Sequence, residues 1–309
     1  MKRLLVISAV LVVIPAAAAT TLRERTVVGP VSTVGITGVE VGYADEYRPR
    51  CHEVRRWDTA TRADVRVATH CFASTSTGSG VAGVSVAGGR ELWLTYIGGN
   101  TREWSLWTKR GTARAKRIAF EAADVDGPAP IVLGRAWDEA LPYTVGNRIA
   151  VLAPDGSRKF SLDASQPVSA LTAHSRGYAA VLADGTVLTI SLTGRPLGVT
   201  TPDSGGAQSA VLAAPGLIVE TVAGLEIHRG AAVTRIGLPA GARWLGYSED
   251  IVAYAAGRQL RLRRLASGKD VLFRTLAPRF DAQLGRRGLA YASGRTLGFA
   301  AWATVSASV

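Results

Sequence analysis

The sequence predicts an all-β chain folded as a seven-bladed β-propeller with four-stranded antiparallel blades, and three observations predict it. Helical signatures are scarce: no sustained i, i+3, i+4, i+7 apolar pattern with caps appears, while short β-branched runs bounded by Gly, Asp-Gly or Ser-Gly recur throughout. One strand–turn–strand–turn–strand unit is written repeatedly, as "VLADGTVLTISLTGRPLGVT" from Val181, "IVETVAGLEIHRGAAVTRIGL" from Ile218 and "IVAYAAGRQLRLRRLASGKDVLF" from Ile251. Its turns fall near Asp45, Gly99, Gly146, Gly185, Gly224, Gly257 and Gly294, a mean step of about 41 residues, the period of one propeller blade. Six blades is the alternative, with the irregular first repeat serving as a capping strand pair.

Repetition has a physical reason. A run such as "GYAAVL" (residues 177–182) is apolar at nearly every position, so its strand needs cover on both faces. A lone blade cannot supply that cover, whereas a closed ring lets each blade shelter the next. Asp155-Gly156 and Asp184-Gly185 read as positive-φ pairs of two-residue hairpins.

In chain order, Lys2 and Arg3, an apolar stretch from Leu4 to Pro15 and Ala17-Ala18-Ala19 form the pattern of a secretory signal peptide over residues 1–19. Residues 20–309 are expected to form a single exported propeller with no stable membrane insertion. The composition, 47% hydrophobic and 19% charged, excludes a disordered chain. Cys51 and Cys71 are expected to form a disulfide in an oxidising compartment, with two buried thiols as the alternative.

"GSGVAG" (residues 78–83) is formally a G-x-G-x-x-G, but it leads into a strand-like "VSVAGG" rather than a helix. It therefore reads as a link between blades one and two, not a nucleotide site. Blade two shows its four strands most plainly, from Val81, Glu91, Arg102 and Ala115. The seventh repeat, from about Asp281, ends after "TLGFAAWATV" (residues 296–305) without a fourth strand. The first strand of the mature chain, "RERTVVGPV" (residues 23–31), is expected to replace it and close the ring.

The strand-and-turn pattern, with its "SLTGRPL" and "RLASGKDVL", resembles the TolB-like and WD40-like propellers of secreted bacterial proteins over nearly the whole mature chain. It departs from WD40 repeats in lacking the Gly-His start and in having Trp-Asp only at residues 57–58 and 137–138. The resemblance implies a binding scaffold with loops gathered on two faces.

The net charge is +12, falling to +10 once Lys2 and Arg3 leave. The excess is mostly arginine and scattered, with a dense place at "GRQLRLRR" (residues 257–264) that reads as a solvated strand face, so nucleic acid is not an expected partner. His52, His70, His174 and His228 form no H-x-x-x-H or H-x-H; a small metal site beside the cysteines, at His52 and His70, is the alternative to structural roles. No G-x-S-x-G elbow appears.

Trp93, Tyr96, Trp104 and Trp107 lie on adjacent strands, with one of each strand's pair expected between blades and the other open to a sugar or peptide. The turn holding Asn100 and Arg102 should share a ring face with the loop holding Asp124 and Asp126. Asn100, Arg102, Trp104, Asp124 and Asp126 are thus the expected binding surface, with weak calcium binding at the two aspartates as the one cofactor considered. The expected function is a monomeric, exported, non-enzymatic module for an envelope or extracellular protein or glycan. The alternative is a propeller hydrolase or lyase acting on a carbohydrate or ester. An enzyme should show two carboxylates, or a histidine with a carboxylate, in its main concavity; a binding module should show a mixed-charge or aromatic patch.

Overall fold

A computed structural model describes residues 22–75 and 77–309; residues 1–19, expected from the sequence to be a signal peptide, lie outside the described residues. Seven four-stranded antiparallel sheets form a ring. Six blades use consecutive strands, over residues 31–71, 79–124, 131–163, 168–200, 209–236 and 243–275. The seventh pairs Phe280–Gly285, Gly288–Ser293 and Thr296–Ala301 with Leu22–Thr26 on the outside. That closing strand runs antiparallel to the last strand of the chain, with Leu22 opposite Ala300 and Thr26 opposite Thr296. Seven blades and closure by the N-terminal strand match the sequence expectation; the six-blade alternative does not hold.

Burial explains the ring. The three inner strands of a blade are covered on both faces, as Gly177–Leu182 is throughout, while outer strands such as Arg158–Asp163 and Pro196–Thr200 face solvent. Each of the seven apolar clusters of the core spans one blade-to-blade junction. Blades 6 and 7, for example, meet through Leu245 and Leu260 against Leu284 and Leu289, and blades 7 and 1 through Leu297 and Phe299 against Val34 and Tyr43. Apolar area is thus removed from water mainly between blades, at about 25 cal/mol per Å², so no blade is stable without a neighbour.

Several local readings are corrected. The series of turns marks the second-to-third turn of each blade, but in blade 1 that turn is at Pro49 and Arg50, and Asp45 lies inside the strand Glu40–Arg48. Asp155-Gly156 and Asp184-Gly185 are not two-residue hairpins with both residues at positive φ. Only the glycines adopt it, at 92° and 81°, while each aspartate accepts the backbone N–H two residues on, at 2.8 Å from Ser157 and 2.9 Å from Thr186. In "GSGVAG" all but Gly78 belongs to the strand Ser79–Ala87, so no helix N-terminus faces it. The segment after Ala301 leaves the sheet as a short helix, Trp302–Ser308, whose Val305 is fully buried against blades 6 and 7.

The arginines of "GRQLRLRR" are not a free solvated face. Arg261 is paired with Asp270 at 2.9 Å and Arg264 with Asp250 at 3.0 Å, each about three-quarters buried. Arg258 and Arg263 donate to the backbone carbonyls of Leu276 and Gly237. In place of a Trp-Asp network, three contiguous blades use a tyrosine of the second strand with an acid of the outer strand and an arginine. These sets are Tyr43–Asp64–Arg55 in blade 1, Tyr254–Asp270–Arg261 in blade 6, and Tyr291–Glu24 with Arg274 at the junction of blades 6 and 7. Burial raises the Tyr43, Tyr254 and Tyr291 phenols above their ordinary range, and the adjacent acids add to the rise.

Candidate functional site

The first strand of every blade lines the central channel and starts at the face carrying the second-to-third turns. On that face, at the channel rim formed by blades 6, 7 and 1, lies a cavity of about 720 Å³. Its lining brings together Glu46 and His52 of blade 1, Arg243 of blade 6, and Arg279 and Phe280 at the start of blade 7. Asp281 anchors the wall between blades 7 and 1: its Oδ2 accepts the Val34 N–H at 2.9 Å and the Thr33 hydroxyl at 3.2 Å. Arg243 lies 3.7 Å from the other Asp281 oxygen, donates to the Phe280 carbonyl at 3.4 Å and sits 5.9 Å from the Phe280 ring centre. Arg279 is exposed and, among the described residues, lies within ion-pair distance of no carboxylate.

Deeper in the channel, Arg135 donates to the Trp244 carbonyl at 3.0 Å, while buried Glu220 accepts the Trp244 N–H. Burial raises the Glu220 carboxyl, and the Trp244 N–H and Arg135 partly offset it; burial lowers Arg135, and Asp281 and Glu220 counter that. The far end is filled by Trp137 and His174, whose ring centres are 3.8 Å apart, with Tyr247 5.7 Å from His174. The space left among them is about 10 Å³, no more than the room of about one water. Burial holds the His174 imidazole down, to about 4, so it is neutral at physiological pH. Trp137, His174 and Tyr247 therefore pack the far end of the channel on the side of blades 3, 4 and 6.

The sequence-predicted residues share that face but sit off the axis, on blade 2. Thr101 pairs with Asp124, so the turn at Asn100 and the loop through Asp126 adjoin as expected. Asn100, Asp124 and Asp126 are exposed. Trp104 is only 9% exposed and packs on Tyr96, with ring centres 5.6 Å apart, in the core between blades 2 and 3. Arg102 turns back over Tyr96 and Trp104, at 5.2 and 5.9 Å, and donates to the Thr77 carbonyl, forming no ion pair with either aspartate. Trp93 and Trp107 stack on the opposite side of the sheet, so both faces of the aromatic group serve blade packing.

Cys51 and Cys71 form a disulfide. His52 and His70 are cross-strand neighbours beside it, but His70 Nε2 accepts the Trp93 indole N–H at 2.8 Å, which removes it as a metal ligand. Among the described residues no group of three or more His, Cys, Asp or Glu side chains converges on a metal position. Glu46 and His52 face each other across the mouth strands, but Glu46 accepts the Arg50 N–H at 2.8 Å, and Ser32 donates to the Ala44 carbonyl. No nucleophile–base hydrogen bond joins them among the described residues. Sequence reasoning missed the mouth because Glu46 lies about 200 residues before Arg243 and Arg279 and the three share no motif.

The fold defines a seven-bladed propeller with WD40-like structural neighbours. A chain of the crystal structure of the mitotic checkpoint complex is similar over 97% of each chain, at 14% identity and a TM-score of 0.57. The computationally designed Ika8 protein matches 89% of this chain and 97% of its own, at 10% identity and a TM-score of 0.51. Raptor of Chaetomium thermophilum matches 90% of this chain over 29% of its own length, at 12% identity and a TM-score of 0.53. These identities show shared architecture alone. No family model and no curated protein matches the chain.

Proposed function

We propose that this protein is an exported, non-enzymatic interaction module that holds an envelope or extracellular protein or glycan at the channel mouth. The observation that carries the reading is the mouth itself: a wide cavity edged by Arg243, Arg279, Glu46 and Phe280, a mixed-charge patch with an aromatic ring. Export is supported by the Cys51–Cys71 disulfide and by the resemblance to TolB-like propellers of secreted proteins. The blade-2 residues Asn100, Asp124 and Asp126 extend the same face and are proposed as its margin, with calcium at the two aspartates as a weak accessory.

The test is comparative capture from the exported fraction by the parent, by Arg243→Glu/Arg279→Glu, and by Arg195→Glu on an outer rim. Loss of the captured partner with the mouth variant alone supports the reading; identical capture by all three contradicts it. The hydrolase or lyase alternative rests on Glu46 and His52, and turnover of an ester or glycan that His52→Ala abolishes would establish it instead.

A further inference from the structure

We propose that the outer hairpin of blade 2 is a second binding site, distinct from the channel mouth, and that its ligand is an acidic, uronate-type polysaccharide. Residues 109–117 hold five basic side chains in nine positions: Lys109, Arg110, Arg114, Lys116 and Arg117. Lys109 donates to the Val67 carbonyl at 2.8 Å, which ties it to blade 1. The other four are exposed, and among the described residues none lies within ion-pair distance of a carboxylate. Asp155, whose field reaches Arg110 from blade 3, is engaged by the Ser157 hydroxyl and N–H at 2.7 and 2.8 Å. Glu121 follows on the same outer strand.

This differs from the other dense arginine stretch, where Arg261 and Arg264 are neutralised within the fold. Protection of an exposed edge strand does not account for it either. Charges do guard sheet edges, but the outer strand of blade 4, Pro196–Thr200, is as exposed and carries none.

An aromatic platform lies beside these cations. The Arg117 guanidinium sits 5.0 Å from the Phe120 ring centre and 5.9 Å from that of Trp107, and Phe120 is 46% exposed. Such a ring accepts the apolar face of a pyranose, and the adjacent guanidinium groups match its carboxylates in the two-pronged geometry arginine favours. Single-stranded nucleic acid is bound through a succession of stacking rings. Here one ring is exposed at the strand, which favours a sugar carboxylate over a nucleotide.

The experiment measures binding of polygalacturonate to the full chain at 0.15 M salt and at two other salt concentrations, with single-stranded DNA and dextran as comparison polymers. Arg114→Gln/Lys116→Gln/Arg117→Gln, Phe120→Ala and Arg195→Gln are measured alongside; all change exposed positions and are checked by thermal melting. The site requires polygalacturonate binding that weakens steeply with salt, at least a tenfold loss in the triple variant, and a several-fold loss in Phe120→Ala. Dextran binding should be absent, and Arg195→Gln should bind as the parent does. Absence of polygalacturonate binding, or an unaffected triple variant, would overturn the proposal. So would DNA binding of equal strength together with no effect of Phe120→Ala, the signature of simple cation exchange.

Discussion

Tyr291 crosses over Gly298 to donate its hydroxyl to Glu24, 267 residues earlier in the chain. Glu24 also receives Arg274 of blade 6, and its neighbour Arg25, on the opposite face of the closing strand, reaches Asp64 of blade 1 at 2.8 Å. Two adjacent residues therefore bind the last blade to both of its neighbours. The channel mouth is built from the same three blades, so ring closure and the proposed binding surface depend on one set of contacts.

Gly298 is required by this arrangement. A Cβ there would lie 2.1 Å from the Tyr291 ring. Gly298→Ala should destabilise by about 1–3 kcal/mol as the ring is displaced, and Tyr291→Phe by about 1–2 kcal/mol through loss of a hydrogen bond to a charged acceptor. Urea denaturation checks both, and the double variant should lose less than the sum because the two changes break the same contact.

Trp104 and Asn100 separate packing from display. Trp104→Ala should cost about 3–5 kcal/mol as a large core truncation. Asn100→Ala should fall within about 0.5 kcal/mol of the parent. Thermal melting of the two variants makes the comparison.

The disulfide should matter in proportion to its loop. Cys51 and Cys71 are 20 residues apart, and a loop of that size contributes about 3 kcal/mol by limiting the unfolded chain. Cys51→Ser/Cys71→Ser should show that loss in denaturation, and dithiothreitol should lower the parent's stability without affecting the variant.

Glu91 predicts an unusual pH response. Burial pushes its carboxyl up to about 7, with Glu40 adding to the rise and Arg56, 3.0 Å away, opposing it. The folded state then holds a proton that the unfolded chain releases near its ordinary value, so this group's contribution to stability declines as pH rises through that window. Across pH 4.5 to 7.5, the stability of Glu91→Gln relative to the parent should rise, by on the order of 1–3 kcal/mol. A flat difference would show that Glu91 ionises normally in the folded protein.

The blades were readable because most second-to-third turns place glycine in the left-handed region, as Gly146, Gly257 and Gly294 do at φ 56–58°. Blade 1 escaped that reading because its left-handed residue is Arg50, at φ 62°, which leaves no glycine to find. The closing strand was readable from a missing fourth strand. The mouth was not, since it joins side chains from three blades. The charge pattern misled for a related reason: whether an arginine is free or paired, as Arg114 and Arg261 respectively are, depends on partners the linear sequence does not display.

The most direct test is deletion of residues 21–30 followed by thermal melting and amide hydrogen exchange. If the ring is held shut by Leu22–Thr26, the melting temperature falls by about 10 °C or more, and exchange rises first in residues 31–37 and 280–301, the strands that flank the closure and form part of the mouth. A shortened chain that melts with the parent, or whose exchange rises evenly around all seven blades, would contradict the account.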